Sequence, residues 1–372
     1  MRKPLSFTNY FTNNLRRTIG MVVALSFSIA MVLIFDSIAY GVTMSSNLGD
    51  VGVAEKVTKI YCGDQADRYE AAIKELRSSE HTEILVKARI QDMDFQHFFG
   101  TANVQTFFVS QSDIPLILEH MKLKLLEGRL PQEENEVVLT TYLAANKGKK
   151  VGDHIGKSVD ATEKMPGEYT VVGILSGDCI AGFGCFSENG NPYSEYLAVP
   201  KENQRDAMNQ VIREFSEDDL FYWDYGKATE SDESNKNRLN GIFDTIALAI
   251  LVMMSFGIGN ASYAHYFSRR YEFGLLQSIG YTKNAMLLRI AREVFGICLV
   301  SLVLGCFIGL GVNLALKVNL FDVRGYPFSL VQARGFLRMV AIPVSTAVFA
   351  IFPSAWLLSN VDPMIVVEKN EG

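Results

Sequence analysis

Four stretches of the chain are apolar for long enough to cross a hydrocarbon layer of about 30 Å, which takes roughly 20 helical residues. They run from Ile19 to Val42, Ile242 to Phe267, Ala285 to Val318 and Phe336 to Leu358. Between the first and second, residues 43–238 read as ordinary globular sequence, long enough to bury a core of its own. Within that insert, alternation and β-branched runs predict strands at EKVTKIYC, TEILVKARI, VQTFFVS, NEVVLT, EYTVVGIL and SEYLAVP. Helical spacing predicts amphipathic helices at ADRYEAAIKELRSS and at Glu202–Ser216. The pattern is that of a membrane α-helical protein with four transmembrane helices and a large α+β extracytoplasmic domain between helices 1 and 2.

The expected order is an amphipathic elbow helix (1–18), the first span (19–42), the inserted domain (43–238), the second span (239–267), a coupling helix and loop (268–284), the third span (285–318), an outer loop (319–335), the fourth span (336–358) and a tail (359–372). Phe7, Phe11 and Leu15 stand at i, i+4 and i+8, so the elbow presents an apolar stripe suited to the membrane interface, a frayed tail being the alternative. The polar run ATESDESNKNR reads as a solvated linker back to the membrane.

The connection between the second and third spans is built with unusual care. As helices, Leu239–Phe267 would be about 43 Å long and Lys283–Leu316 about 51 Å, at 1.5 Å per residue, so both overshoot a bilayer core. Between them Phe273, Leu276 and Ile279 share one face at helical spacing, with Leu275 alongside. Gly280 is placed to end that helix in a left-handed conformation, and Thr282 to cap the next. A groove on a soluble partner would bury the apolar face. A lipid interface, tolerated by Arg269 and Arg270, would do so equally well.

Charge sets an orientation. Of 372 residues 48% are hydrophobic and the formal net charge is −6, but the charges are unevenly spread. Arg2, Lys3, Arg16 and Arg17 precede the first span without an acid, and the short connection carries Arg269, Arg270, Lys283, Arg289 and Arg292 against Glu272 and Glu293. The positive-inside rule places both segments, and with them the two termini, on the cytoplasmic side of the membrane. A cleaved signal peptide is not expected, because the apolar run starts late and no A-x-A site follows it. No nucleic-acid partner is expected. Cys298 and Cys306 lie in the third span as packing residues, whereas Cys62, Cys179 and Cys185 lie in the insert, where a disulfide would persist. Cys179 and Cys185 bracket CIAGFGC and are a possible disulfide across a small loop, although spacing alone does not fix connectivity.

Catalytic motifs are missing. GDHIGKS, Gly152–Ser158, is one residue short of the phosphate-cradling loop G-x-x-x-x-G-K-[ST]. The five histidines form no H-E-x-x-H pair, no G-x-S-x-G occurs, and no metal site or cofactor is expected on this chain. Two acids stand near the outer ends of spans: Asp36, late in the first, and Asp244, early in the second. They contribute either to an outer gate or path, or only to interfacial solvation and hydrogen bonding between neighbouring helices.

The stretch RRYEFGLLQSIGYTKNAMLLRIARE resembles the R-x-x-E-I-G-x-L-x-A-I-G-A signature, with a later Glu, of FtsX-like and MacB-like ABC transporter permeases. Arg269 or Arg270, Glu272, Phe273, Gly274, Leu275, Ile279, Gly280 and Glu293 match it. LLEGRLPQEENEVVLTTYLA, KKVGDHI and EYTVVGIL resemble the family's periplasmic core, and YFTNNLRRTIG its elbow. The ending PSAWLLSNVDPMIVV shares Pro353, Asp362 and Pro363 with the family but lacks its arginines. The resemblance implies a permease homodimer beneath which two copies of a separate ATPase subunit, holding the ATP and magnesium, dock against Arg270, Glu272, Phe273, Gly274, Leu275, Leu276, Ile279 and Gly280. ATP-driven strokes would then expel a hydrophobic or amphipathic substrate by mechanotransmission. The alternative is an FtsX-type signalling protein that regulates a cell-wall hydrolase.

Overall fold

The structure, a computed structural model, describes residues 15–62, 66–97, 100–186, 195–215 and 221–360. The expected elbow up to residue 14 and the tail from residue 361, with Asp362 and Pro363, lie outside the described residues. In chain order, helix α1 (Leu15–Ser46) runs into a π-helical turn (Asn47–Val51). The insert follows as β1 (Thr58–Tyr61), α2 (Ala66–Ser78), β2 (Thr82–His97), β3 (Gly100–Val109), α3 (Ile114–His120), β4 (Lys124–Gly128) and β5 (Glu136–Thr140). It continues as α4 (Thr141–Lys147), β6 (His154–Ile155), β7 (Tyr169–Ser176), β8 (Ala181–Cys185), β9 (Glu195–Pro200), α5 (Arg205–Glu214) and β10 (Phe221–Trp223). Last come α6 (Tyr225–Ser268), α7 (Arg270–Ser278), α8 (Lys283–Leu316) and α9 (Ala333–Asn360).

The chain forms two compact units. One, the membrane unit, comprises Met1–Ala39, Leu239–Lys317 and Ser329–Gly372; the other, the sheet domain, comprises Tyr40–Arg238 with Val318–Phe328. Among the described residues four helices, Thr18–Ala54, Tyr225–Ser268, Lys283–Phe321 and Ala333–Trp356, are long and apolar enough to cross a membrane.

In the sheet domain the strand order is β10-β1-β9-β2-β3-β8-β5-β7-β4, with β6 paired to β7. The pairs β3–β8 and β5–β7 are parallel and the others antiparallel. Tyr69, Ile73 and Leu76 of α2 and Met208 and Ile212 of α5 bury one patch with Ile60, Leu85 and Ala198. A larger core gathers Ile114, Ile117 and Leu118 of α3 with Phe107, Val138, Phe183 and Leu197. Strand β8 escapes a pattern search because two of its five residues are glycine. The Phe108 ring lies where a side chain would stand, 2.6 Å from a Cβ built on Gly184, so the position must be bare.

Two expectations are corrected here. Cys179 and Cys185 are both free, and Cys185 Sγ donates instead to the Pro131 carbonyl at 3.2 Å. The extended strand between them is the reason: at about 3.3 Å per residue β8 alone separates its ends by roughly 13 Å, whereas a disulfide requires Cα atoms within about 7 Å. The run expected as a linker, Ala228 to Arg238, is helical and opens α6. Asp224 starts that helix, its Oδ1 accepting from the Lys227 backbone N–H at 2.8 Å. Asp232 is buried, pairs with Lys236 one turn on, and accepts from Asn47 Nδ2 at 3.0 Å.

The connection after α8 belongs to the sheet domain. Phe321 is buried and its ring lies tilted against Phe328 at 4.3 Å, Tyr326 meets Phe95 edge-on at 5.9 Å, and Asn146 Nδ2 donates to the Arg324 carbonyl at 3.3 Å.

In the membrane unit, Leu25, Ile29 and Leu33 of α1 bury against Ile290, Val294 and Ile297 of α8 and Ile342 of α9. Gly305 and Gly309 serve this intrachain packing. A Cβ on Gly305 would stand 2.8 Å from Ile29, and one on Gly309 would stand 2.9 Å from Leu33. Ser255 joins α6 to α9 through Ser345 Oγ at 3.0 Å. Large apolar side chains on the outer faces, such as Phe256, Phe307 and Phe352, stay exposed, as suits helices whose solvent is lipid.

Candidate functional site

The short connection is a helix locked at both ends. Arg269 breaks α6 from α7, with φ −100° and ψ 12°, and its carbonyl accepts from the Phe273 N–H at 3.2 Å. At the far end Gly280 has φ +101°; its N–H bonds to the Gln277 carbonyl at 2.9 Å, and the Tyr281 N–H bonds to that of Leu276 at 3.0 Å. These are the paired bonds of a Schellman stop, whose left-handed residue favours glycine. Thr282 then caps α8, its hydroxyl accepting from the Ala285 N–H at 3.3 Å.

The exposed face is not the one expected. Phe273 is only 2% exposed, tilted against Tyr266 at 6.3 Å with the Arg269 guanidinium 5.5 Å from its ring. Gly274 is buried beside it, and Leu276 is half-buried against the same core. The outward stripe is Tyr271, Leu275 and Ile279 at i, i+4 and i+8, 43%, 59% and 68% exposed. Of the expected site residues, therefore, Leu275 and Ile279 share a surface and Phe273 does not. Arg270 lies over the Phe267 ring at 4.3 Å. The side chain of Glu272 lies outside the described residues.

Beneath the helix, Glu293 of α8 is 2% exposed. It accepts from Arg289 Nε at 3.0 Å and from the Tyr266 hydroxyl at 3.2 Å. A buried carboxylate held by a residue of α6 and one of α8 fixes the two stalks at the base of the connection. Tyr266 and Arg289 were not singled out in the sequence, although Arg289 and Glu293 stand at the i, i+4 spacing of a helical ion pair.

A second charged cluster joins the two acids of the first and second spans. Arg338 of α9 pairs with both Asp36 of α1 and Asp244 of α6, its Nε donating to Asp244 Oδ1 at 2.9 Å. Arg334, one turn earlier, adds a contact to Asp244 at 3.4 Å. Two carboxylates and two guanidiniums balance, which lets Asp36 remain 8% exposed. The arginines are what the sequence reading missed. Their signal was an i, i+4 pair at the start of an otherwise apolar span.

Comparison with known proteins bears on the membrane unit. No curated protein matches the chain significantly. Among solved structures, the periplasmic region of MacB from Actinobacillus actinomycetemcomitans has a TM-score of 0.29 at 12% identity, over 49% of this chain and 94% of that one. The extracellular domain of the noncanonic ABC-type transporter YknZ from Gram-positive bacteria has a TM-score of 0.27 at 10% identity, over 45% of this chain and 98% of that one. Scores this low carry no weight for fold or function, and the architecture rests on the strand order and helices above. The FtsX-like permease C-terminal family matches residues 245–363, a range that holds the second candidate span from residue 245 onward, the third and fourth candidate spans, the locked helix and Glu293. Residues 245–363 of this chain are thus similar to the FtsX-like permease C-terminal family.

Proposed function

We propose that the protein is the permease subunit of an ABC exporter and that α7 is its coupling helix. The observation that carries this reading is the exposed apolar stripe of Leu275 and Ile279 on a helix fixed by a buried Phe273, a Schellman stop and a capped successor. Fully covering an aliphatic side chain gains about 1.5–3 kcal/mol, so a groove on a soluble partner would draw useful affinity from these two residues. In this reading two ATPase subunits, which hold the ATP and magnesium, grip the helices of a permease homodimer from the cytoplasm of a bacterial inner membrane. Both termini then face the cytoplasm and the sheet domain faces outward. Closure of the ATPases shifts α7, the Glu293 contacts pass the shift to α6 and α8, and the outer domain expels a hydrophobic or amphipathic compound.

Leu275→Asp and Ile279→Asp test this. Each should abolish co-purification of the ATPase and transport-coupled hydrolysis while leaving the permease folded in detergent. Retained ATPase binding in both variants would reject the docking role and leave α7 as an interfacial helix. Phe273→Asp is a poor substitute, because that side chain belongs to the core of the membrane unit.

A further inference from the structure

The sheet domain contains a polar cavity of about 480 Å³ that the coupling reading leaves without a role. Its volume falls in the range of about 300–1,000 Å³ typical of small-molecule sites. Its wall is built. Lys59 of β1 is 3% exposed and donates to Gln105 Oε1 at 2.7 Å, with Asp50 Oδ1 at 3.5 Å. Trp223 Nε1 donates to the same Asp50 oxygen at 2.7 Å, and Gln105 Nε2 donates to the Tyr61 hydroxyl at 3.3 Å. These bonds hold five side chains from three strands and the π-helical turn in one fixed arrangement.

One carboxylate on this wall is left over. Asp92 sits directly across β2–β3 from Gln105, so the two side chains share a face. It is exposed, lines the cavity, and makes no side-chain hydrogen bond or ion pair among the described residues. Lys59 is committed to Gln105 and Asp50, and Lys164, the other nearby cation, is paired with Asp94 at 2.9 Å. Within the cavity two carboxylates therefore face one ammonium, that of Lys59, which itself lies over the Trp223 ring at 5.8 Å. An unpaired carboxylate facing a cavity receives an organic cation through charge-assisted hydrogen bonds. Asn103, Ser231 and Asn235 add neutral donors and acceptors for the rest of a polar molecule. A bare divalent metal fits less well, because Asp50 already serves Trp223 and a buried ammonium stands beside it.

We propose that this cavity binds a small polar ligand bearing one ammonium or guanidinium group, received by Asp92. Ser46 at the end of α1 and Ser231 near the start of α6 also line the cavity, so an occupant touches the two helices that lead into the membrane unit.

The chain has two tryptophans, so Trp356→Phe leaves Trp223 as the sole reporter. The full-length protein in detergent is titrated with N-acetyl-lysinamide, N-acetyl-argininamide, the neutral N-acetyl-glutaminamide and the anionic N-acetyl-glutamate amide, and Trp223 emission is followed. A saturable change with either cation, weakened at least about tenfold by Asp92→Asn and kept by Asp92→Glu, supports the site, and the stronger of the two names its head group. No saturable change with either cation, an equal response to the neutral or anionic probe, or a response that Asp92→Asn leaves intact would overturn it. The measurement needs no ATPase, so its failure is separate from failure of the permease reading.

Discussion

Because Arg338 stands between Asp36 and Asp244, removing it strands a buried carboxylate in the membrane unit. Breaking a buried pair from one side costs about 3–5 kcal/mol, whereas replacing both partners costs far less. Arg338→Leu should therefore lower the thermal midpoint in detergent sharply, and adding Asp36→Asn should recover much of the loss. A single variant as stable as the parent would mean that water or lipid head groups already neutralise Asp36. In the sheet domain, two hydrogen bonds from Arg129 and the backbone N–H groups of Gln132 and Glu133 hold Glu136 at about 2, below its usual 4.5. A depressed carboxylate stabilises the fold above its unfolded pKa and loses that contribution as pH falls through the folded value. Acid unfolding of the wild type should thus steepen between about pH 4.5 and pH 2, and Glu136→Gln should flatten that limb. Cys179 and Cys185 make a chemical prediction. Burial pushes Cys179 up to about 12 and Cys185 to about 11, so both thiols stay protonated and unreactive. Mass spectrometry of unreduced, denatured protein should find both alkylated by a thiol reagent, and a Cys179–Cys185 crosslink would contradict the strand geometry.

For the elements, α7 shows what a chain can and cannot announce. Its boundaries were legible, because Gly280 and Thr282 act on backbone groups within a few residues of themselves. Gly280→Val should cost about 1–2 kcal/mol in the left-handed region and lower ATPase coupling without blocking assembly; unchanged coupling would show that the stop is dispensable. Which stripe of α7 faces outward was not legible, since Phe273 and Ile279 are equally apolar and only Tyr266 and the packed core decide between them. The same limit applies to Arg338, whose partners lie 302 and 94 positions away. In the insert, strands with β-branched alternation were readable. The exposed edge strand β4, the glycine-bearing β8 and the three-residue β10 carried too little pattern. The opening of α6 was misread because its composition is that of a linker, while its helicity comes from the Asp224 cap and the Asp232–Lys236 pair.

For the whole molecule, the permease reading requires the connection and the sheet domain to face opposite compartments. Single cysteines at Ile279 and at Leu126, both exposed, test this in intact cells. An impermeant thiol reagent should label the Leu126 position and spare the Ile279 position, and the reverse pattern would invert the topology. The sheet domain carries a further consequence. Its core is closed by a piece of chain that arrives late: Phe321, Tyr326 and Phe328 lie far beyond residue 238, yet Tyr326 packs on Phe95 and the Arg324 carbonyl receives Asn146. During synthesis the domain must wait, its aromatic seat uncovered, until the ribosome has passed residue 328 and three apolar helices have been delivered. Expression of residues 43–238 alone should yield a protein that binds hydrophobic dyes and precipitates, and supplying residues 318–328 through a short tether should cure it. Biogenesis of this chain is therefore an ordered assembly in which membrane insertion comes before completion of the sheet domain.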